Sequence, residues 1–280
     1  MWPLQRSYRA ATLDVGRGTP WRWGTRTFVM GIVNATEDSF SGDGVAGDPD
    51  AAASLARSFE LAGADIIDIG GASSRPGADP TPVDVERSRV VPVIEAVRAV
   101  SDLPISIDTT WATVAEAALD AGADLVNDIT GLQLDPELAP LVAERSAPVV
   151  VMHNQRGRPH TDVVADVVAG CARTLEICAG AGISDDRVVF DPGFGFGWSV
   201  EQNLEMLRRL PELWDLGLPL LIGTSRKSSI GKVLGVDVQH RRFGTAATIS
   251  QAICAGIDVV RVHDTGEMTD VVVMTDAIVR

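Results

Sequence analysis

The chain has 280 residues, 45% of them hydrophobic and 22% charged, enough for one large α/β barrel or two ordinary domains around a sizeable core. A formal net charge of −14 argues against non-specific nucleic-acid binding, and any anionic substrate must be held by a local cationic cluster against the overall field. No stretch approaches the apolar length of a membrane span and residues 1–6 lack a signal-peptide core, so neither membrane insertion nor export is expected.

Residues 1–26 are irregular and carry Trp2, Trp21 and Trp23, a short N-terminal extension suited to a small hairpin packed across one end of the domain that occupies 27–280. Thr27-Phe28-Val29-Met30-Gly31-Ile32-Val33 reads as a first strand ending at Asn34. A long loop rich in Gly, Ser and Asp follows over 35–47. Asp48-Pro49 then gives an N-cap with proline at the first helical position, and Leu55, Phe59 and Ala62 fall at helical spacing. Asp65-Ile66-Ile67-Asp68-Ile69-Gly70 is the second strand, opening into a loop Gly71-Ala72-Ser73-Ser74-Arg75-Pro76-Gly77 before a helix near Thr81-Pro82. Strands three to five are Pro104-Ile105-Ser106-Ile107-Asp108, Leu125-Val126-Asn127-Asp128-Ile129 and Pro148-Val149-Val150-Val151-Met152-His153. His153 itself reads as a satisfied structural histidine.

Cys171 and Cys178 fall two turns apart on an expected helix, roughly 10 Å along its axis and too far to bridge. With Cys254 they form no metal or redox motif, and the chain reads as cytoplasmic and reduced. The sixth strand, Val188-Val189-Phe190-Asp191, stops at a carboxylate followed by Pro192-Gly193-Phe194-Gly195-Phe196-Gly197. A buried acid is costly unless something binds it, and the glycines let backbone approach a ligand closely. Their G-x-G-x-G spacing is not the dinucleotide fingerprint. Leu204, Leu207, Leu210 and Leu213 mark a core-facing helical stripe. Pro219-Leu220-Leu221-Ile222-Gly223-Thr224-Ser225 is the seventh strand and Val259-Val260-Arg261-Val262-His263-Asp264 the eighth.

Eight strand-then-helix units in one chain of this length predict a single (β/α)8 TIM barrel. In that fold Asn34, Ser74, Arg75, Asp108, Asn127, Asp191, Ser225, Lys227, Arg261 and His263 converge on one mouth. The chemistry there divides. Asp108, Asn127 and Asp191 suit a flat heterocycle with several N–H donors, whereas Arg75, Lys227, Arg261 and His263 supply cationic donors for a phosphate-type anion. A solvated surface charge is the competing reading for Arg75 or Lys227 taken alone. It fits less well for Arg261 and His263, which alternate within a strand that would ordinarily be apolar throughout. The two long loops exceed the usual connections of about two to six residues and suit lids or binding loops.

At this point the sequence resembles the dihydropteroate synthase family, the folate-pathway enzymes that sulfonamides inhibit. The matching segments are Gly31-Ile32-Val33-Asn34-Ala35-Thr36-Glu37-Asp38-Ser39-Phe40-Ser41, Gly70-Gly71-Ala72-Ser73-Ser74-Arg75-Pro76-Gly77, Ser106-Ile107-Asp108-Thr109, Asn127-Asp128-Ile129, Asp191 through Gly197, Ser225-Arg226-Lys227-Ser228 and Arg261-Val262-His263-Asp264. They occur in the family's order across nearly everything after residue 27.

The resemblance implies condensation of 6-hydroxymethyl-7,8-dihydropterin pyrophosphate with 4-aminobenzoate to 7,8-dihydropteroate and pyrophosphate, assisted by Mg²⁺. Carried over by position, Asp108, Asn127, Asp191 and Lys227 hold the pterin. Asn34, Arg75, Arg261 and His263 hold the pyrophosphate, with Asn34 beside the metal. Ser74, Pro76, Phe196, Ser225 and the stem of Lys227 border the aminobenzoate. Asp108, Asp191, Lys227 and Arg261 form the expected catalytic set, and the family's habit is a homodimer through the late helices. The sequence departs from the usual pattern at Ala35 and Glu37, at Ala72 and Ser74, and at Trp198, which stands where a lysine is common and is expected at the rim of the mouth. Two competing readings share the pterin acids: a methyltetrahydrofolate-type methyltransferase barrel, and a non-catalytic pterin-binding relative. The first has no need of Ser225-Arg226-Lys227 or Ser74-Arg75-Pro76.

Overall fold

Strand residues in this chain alternate between two destinations, and the alternation builds both the core and the site. The computed structural model describes residues 6–36, 45, 47–73 and 79–280. Two short strands, β1 (Thr12–Leu13) and β2 (Trp21–Arg22), pair antiparallel ahead of the main sheet. The sheet itself has eight parallel strands: β3 (Phe28–Asn34), β4 (Ile66–Gly70), β5 (Ile105–Asp108), β6 (Leu125–Asp128), β7 (Val149–Met152), β8 (Val188–Asp191), β9 (Leu221–Ile222) and β10 (Val259–Val262). Neighbours run β8-β7-β6-β5-β4-β3-β10-β9. A parallel bridge between Phe190 and Leu220 then closes the ring, with Phe190 N–H donating to the Pro219 carbonyl at 2.9 Å. This is the expected TIM barrel.

Helices intervene between the barrel strands: α1 (Pro49–Leu61), α2 (Val83–Arg98), α3 (Ala112–Asp120), α4 (Leu138–Glu144), α5 (Val163–Ala181), α6 (Val200–Arg209), α7 (Ser228–Leu234) and α8 (Arg242–Cys254), with α9 (Thr265–Val279) closing the chain. Local chemistry sets their ends. The Asp48 carboxylate accepts from Asp50 N–H at 3.0 Å and from Ala51 N–H at 3.3 Å, and Pro49 follows at the first helical position, so α1 starts where the sequence indicates. Ser199 and Gln202 cap each other reciprocally at the start of α6.

Because side chains alternate along a strand, one set points outward to the helices and the other into the barrel. Val29, Ile67, Ile69, Ile105, Ile107, Val126, Val149, Val151, Phe190, Ile222 and Val260 pack outward. Phe28, Met30, Ile66, Leu125, Val150, Val189, Leu221 and Val259 fill the lower barrel as a second cluster, joined by Leu13, Val15, Trp21 and Trp23. Trp21 stacks on Phe28 with ring centres 4.3 Å apart, and Trp23 meets both edge-on. The hairpin therefore plugs the barrel at the N-terminal ends of its strands. Arg6 fastens it there, donating to Asp258 at 2.8 Å and to the carbonyls of Gly256 and Leu218, while the Tyr8 hydroxyl donates to the other Asp258 oxygen at 2.7 Å.

Two expectations change. The seventh strand is only Leu221–Ile222, because at Gly223 the chain leaves the sheet to build part of the site. The leucine stripe also breaks: Leu204 is half-buried, and α6 gives way to a tighter 3₁₀ stretch over Leu210–Leu216, with proline at Pro211. Cys171 and Cys178 lie on α5 as expected, both buried and free, with burial pushing their thiols up to about 12 and about 11. Among the described residues no helix is long and apolar enough to cross a membrane.

Candidate active site

Two residues above the apolar plug, the inward positions change character. Continuing the alternation from Ile66, Leu125, Val189 and Val259 gives Asp68, Asn127, Asp191 and Arg261, while Ser106 and Asp108 face inward from β5. Barrels are ordinarily filled by bulky branched side chains at every layer. Here the upper layer is polar, so the plug supports a polar floor at the C-terminal mouth.

Register sets the floor's neighbours. Asp108 lies beside Gly70 on one side and Asn127 on the other, and Asn34 lies beside Gly70 from β3. Arg261 crosses from β10, its Nε and Nη2 donating at 2.6 Å to Asp68 and to Asp108 respectively. The Asn127 amide N–H group sits 3.3 Å from both Asp68 oxygens. Asp68, fully buried, was not singled out among the site residues, although a carboxylate inside an apolar strand carries the same signal that drew attention to Arg261.

The second half of the site is built by two turns. After β8, the Asp191 carboxylate accepts from Gly193 N–H at 2.7 Å, and its carbonyl accepts from His153 N–H at 2.9 Å. Gly193 has φ +81°, and a Cβ there would lie 1.9 Å from the His153 carbonyl oxygen, so this turn requires glycine. The turn carries Phe196 back beneath Lys227, whose ammonium stands 4.1 Å from the ring centre. After β9, Ser225 is buried and accepts from His263, backbone N–H at 3.2 Å, with the ring Nδ1 at 3.0 Å. Arg226 between Ser225 and Lys227 adopts φ +55° and is bound to Asp264 at 2.6 Å, which locks the strained turn.

These groups lie within each other's fields. Burial first, with help from Asp68, Glu86 and Asp128 against the attraction of Arg261, pushes the Asp108 carboxyl up to about 7. Burial likewise raises Asp191 to about 6, opposed by Gly193 N–H, Lys227 and Arg261. Lys227 falls to about 8, through burial first and then the neighbouring Arg261. Burial also disfavours charge on Arg261, but Asp68 and Asp108 outweigh it and hold its pKa above the ordinary arginine value. A floor of desolvated, mutually perturbed charges marks a candidate functional site.

Three expectations need comment. His263 was expected as a cationic donor; burial, then Arg261 and Arg226, push it down to about 3, which makes it neutral. Trp198 was expected at the rim, but it is buried in the helix-facing core, its ring 5.8 Å from His153 and 5.7 Å from His160. Its backbone carbonyl is fixed by the buried Asn203, which also accepts from Gly195 N–H, so tightening of the glycine turn draws Trp198 inward. His153 is buried and bonded to Gln155 at 2.9 Å, in keeping with a structural role. Ser74, Arg75 and Pro76 lie outside the described residues, as do Glu37 and most of both long loops.

The geometry has counterparts in known proteins. The family model described as "Pterin binding enzyme" matches residues 30–263. The chain belongs to the pterin-binding enzyme family. A dihydropteroate synthase from Synechocystis is 44% identical over 98% of this chain and 97% of its own length. Among solved structures, a dihydropteroate synthase from Clostridium difficile, determined in the presence of pteroic acid, superposes with a TM-score of 0.88 at 46% identity, covering 92% of this chain and 98% of that one. The Xanthomonas albilineans enzyme with 4-aminobenzoic acid gives 0.87 at 39% identity, covering 96% and 98%. Within the family, this chain stands with the dihydropteroate synthases, enzymes that transfer a group in folate biosynthesis.

Proposed function

We propose that this chain makes 7,8-dihydropteroate from 6-hydroxymethyl-7,8-dihydropterin pyrophosphate and 4-aminobenzoate, releasing pyrophosphate. The observation that carries the reading is the polar floor, in which Asp108, Asn127 and Asp191 present acceptors and an amide beside Lys227 at the barrel mouth. A pterin offers an amino group and ring N–H donors to the two carboxylates, and the Lys227 ammonium donates to a ring acceptor. Asn34, Arg75, Arg261 and His263 are assigned to the pyrophosphate on the family pattern. Ser74, Pro76, Phe196, Ser225 and the Lys227 stem border the arylamine.

The chemistry follows from charge. The leaving group is a multiply charged anion, and among the described residues the Ser225 hydroxyl, 3.0 Å from the His263 ring, faces an imidazole pushed down to about 3, too weak a base to activate a nucleophile. The residues therefore act by positioning and by electrostatics, on a mainly dissociative path in which the pterin methylene becomes cation-like before the arylamine attacks. Asp108 and Asp191 keep the electron-rich ring in place and favour developing positive charge. Arg261, already fixed by two carboxylates, stays charged through the step. His263, kept neutral by burial first and then by Arg261 and Arg226, offers the anion a ring N–H rather than a charge.

Mg²⁺ is proposed as the cofactor. The Asn34 amide oxygen, at the partly exposed end of β3, is a hard donor of the kind Mg²⁺ accepts, with substrate phosphate and water as the remaining ligands. Bound there, Mg²⁺ would neutralise charge on the departing pyrophosphate. A cytoplasmic homodimer is proposed on the pattern of the family, supported by apolar side chains exposed on α8 and α9. The test is pyrophosphate release from the two substrates by the purified protein, with and without excess chelator. Turnover that needs both substrates and stops on chelation is expected. No release from the complete mixture removes the synthase reading, and full turnover in chelator removes the metal.

A further inference from the structure

Asp68 lies directly below the proposed ligand groups yet is 0% exposed, so it meets no substrate. A buried carboxylate is expensive, and a buried ion pair is often replaceable by apolar side chains without loss of stability. Its surroundings give it a different use. One oxygen receives Arg261 Nε and Nη2, each at 2.6 Å, and both receive the Asn127 amide N–H group at 3.3 Å. We infer that Asp68 is a positioning residue: it fixes which way the Asn127 amide faces and holds Arg261 across the floor to Asp108, thereby setting the hydrogen-bonding pattern that a pterin meets.

The physical argument concerns direction. An amide can turn over at little cost unless a neighbour distinguishes its oxygen from its nitrogen. A carboxylate paired with a guanidinium acts as an acceptor, so Asp68 draws the Asn127 nitrogen toward itself and leaves the amide oxygen for a ring N–H. The same carboxylate keeps the Arg261 guanidinium where its Nη2 occupies Asp108 Oδ2. Asp108 Oδ1 is thereby left as the acceptor for the ligand. Without Asp68, Arg261 can swing wholly onto Asp108 and Asn127 can turn its donors upward, presenting donors to donors.

This inference rests on the reading of the floor as a pterin site. The test compares wild-type protein with Asp68→Asn, which keeps volume but removes the charge and one accepting oxygen. Calorimetry and steady-state kinetics should show ~10-fold or greater weakening toward the dihydropterin pyrophosphate, in Kd and KM, with the 4-aminobenzoate KM within ~2-fold. The acid limb of pterin binding should also move to lower pH. Asp108 is faced by Arg261, Asp68, Glu86, Asp128 and Lys227, and the variant removes one repelling charge while freeing Arg261 to pair with it fully. A pterin Kd within ~2-fold of wild type, an unmoved acid limb, or equal rises in both KM values would overturn the proposal.

A measurement on the wild-type protein decides the matter if the variant does not fold. The Asn127 side-chain amide resonances, assigned from their loss in Asn127→Asp, should be strongly inequivalent and slow to exchange with water before any ligand is added. Rapid exchange and near-equivalence contradict a fixed amide. Failure of the underlying synthase reading is distinguishable, since wild-type protein would then release no pyrophosphate from the complete substrate mixture.

Discussion

In the proposed site, Asp191 joins stability, pH and ligand binding in one side chain. Its folded-state pKa is raised to about 6, so it favours the fold while protonated. That contribution is fully present below the ordinary carboxylate range and is lost as pH rises through about 6. A ligand that donates to the carboxylate reverses the preference, so pterin affinity should fall as the pH drops from about 7 to below 6 and both Asp108 and Asp191 protonate. Asp191→Asn should melt no lower than wild type at pH ~8, because the desolvated charge is gone, while losing about 100-fold in pterin affinity through two charged hydrogen bonds. Thermal melts and calorimetry across pH check both parts, and normal pterin binding by the variant would remove Asp191 from the site. Trp198 makes the opposite case. A lysine there loses a buried aromatic and places a charge beside His153 in the helix-facing core, for a cost of about 3–5 kcal/mol. Trp198→Lys is expected to lower the melting temperature sharply, and a melting curve superimposable on wild type would contradict the packing described here.

At the scale of elements, the strand-end turns carry the precision. Gly193→Ala must place a Cβ against the His153 carbonyl and strain a positive φ, so the turn after β8 should shift and take the Asp191 carboxylate with it. Calorimetry is expected to show pterin affinity reduced by at least ~10-fold with far-ultraviolet circular dichroism unchanged, and unimpaired binding would show that the turn does not position Asp191. The strands themselves were legible because a barrel strand is an apolar run with a chemically distinct end: Asn34, Asp108 and Asp191 each close their strand in the structure as in the sequence. What escaped reading depended on long-range partners. Arg6 and Asp258 are 252 positions apart, and Asp68 acquires its meaning from Arg261, 193 positions away. Trp198 was misplaced for the same reason, since the Asn203 side chain that draws its backbone inward is visible only once α6 has folded onto the turn. The neutrality of His263 likewise required the positions of Arg226 and Arg261, which sequence spacing alone does not supply.

Viewed whole, the barrel separates its two tasks along the axis. The tryptophan-rich hairpin and Arg6 close the N-terminal end with apolar packing and a buried ion pair, while the polar layer and the strand-end turns occupy the C-terminal end. Against a net charge of −14, Lys227, Arg226 and Arg261 bring positive charge to the mouth, where Asp68 and Asp108 pair with Arg261 and Asp264 pairs with Arg226. Outside the barrel, Phe243 on α8 is 87% exposed, and Val273 and Ile278 on α9 are 64% and 63% exposed. An apolar surface of this kind supports the proposed homodimer. Phe243→Glu should then shift the sedimentation equilibrium from two chains toward one, and a wild-type protein sedimenting as a single chain at all concentrations would exclude the dimer. The most direct test of the central claim is a crystal structure with 6-hydroxymethyl-7,8-dihydropterin pyrophosphate and a 4-aminobenzoate analogue bound. The account predicts the pterin edge on Asp108, Asn127 and Asp191, Lys227 against the ring, and the arylamine beside Phe196 and Ser225. A pterin bound away from that floor, with Asp191 and Asn127 making no contact to it, would contradict the account.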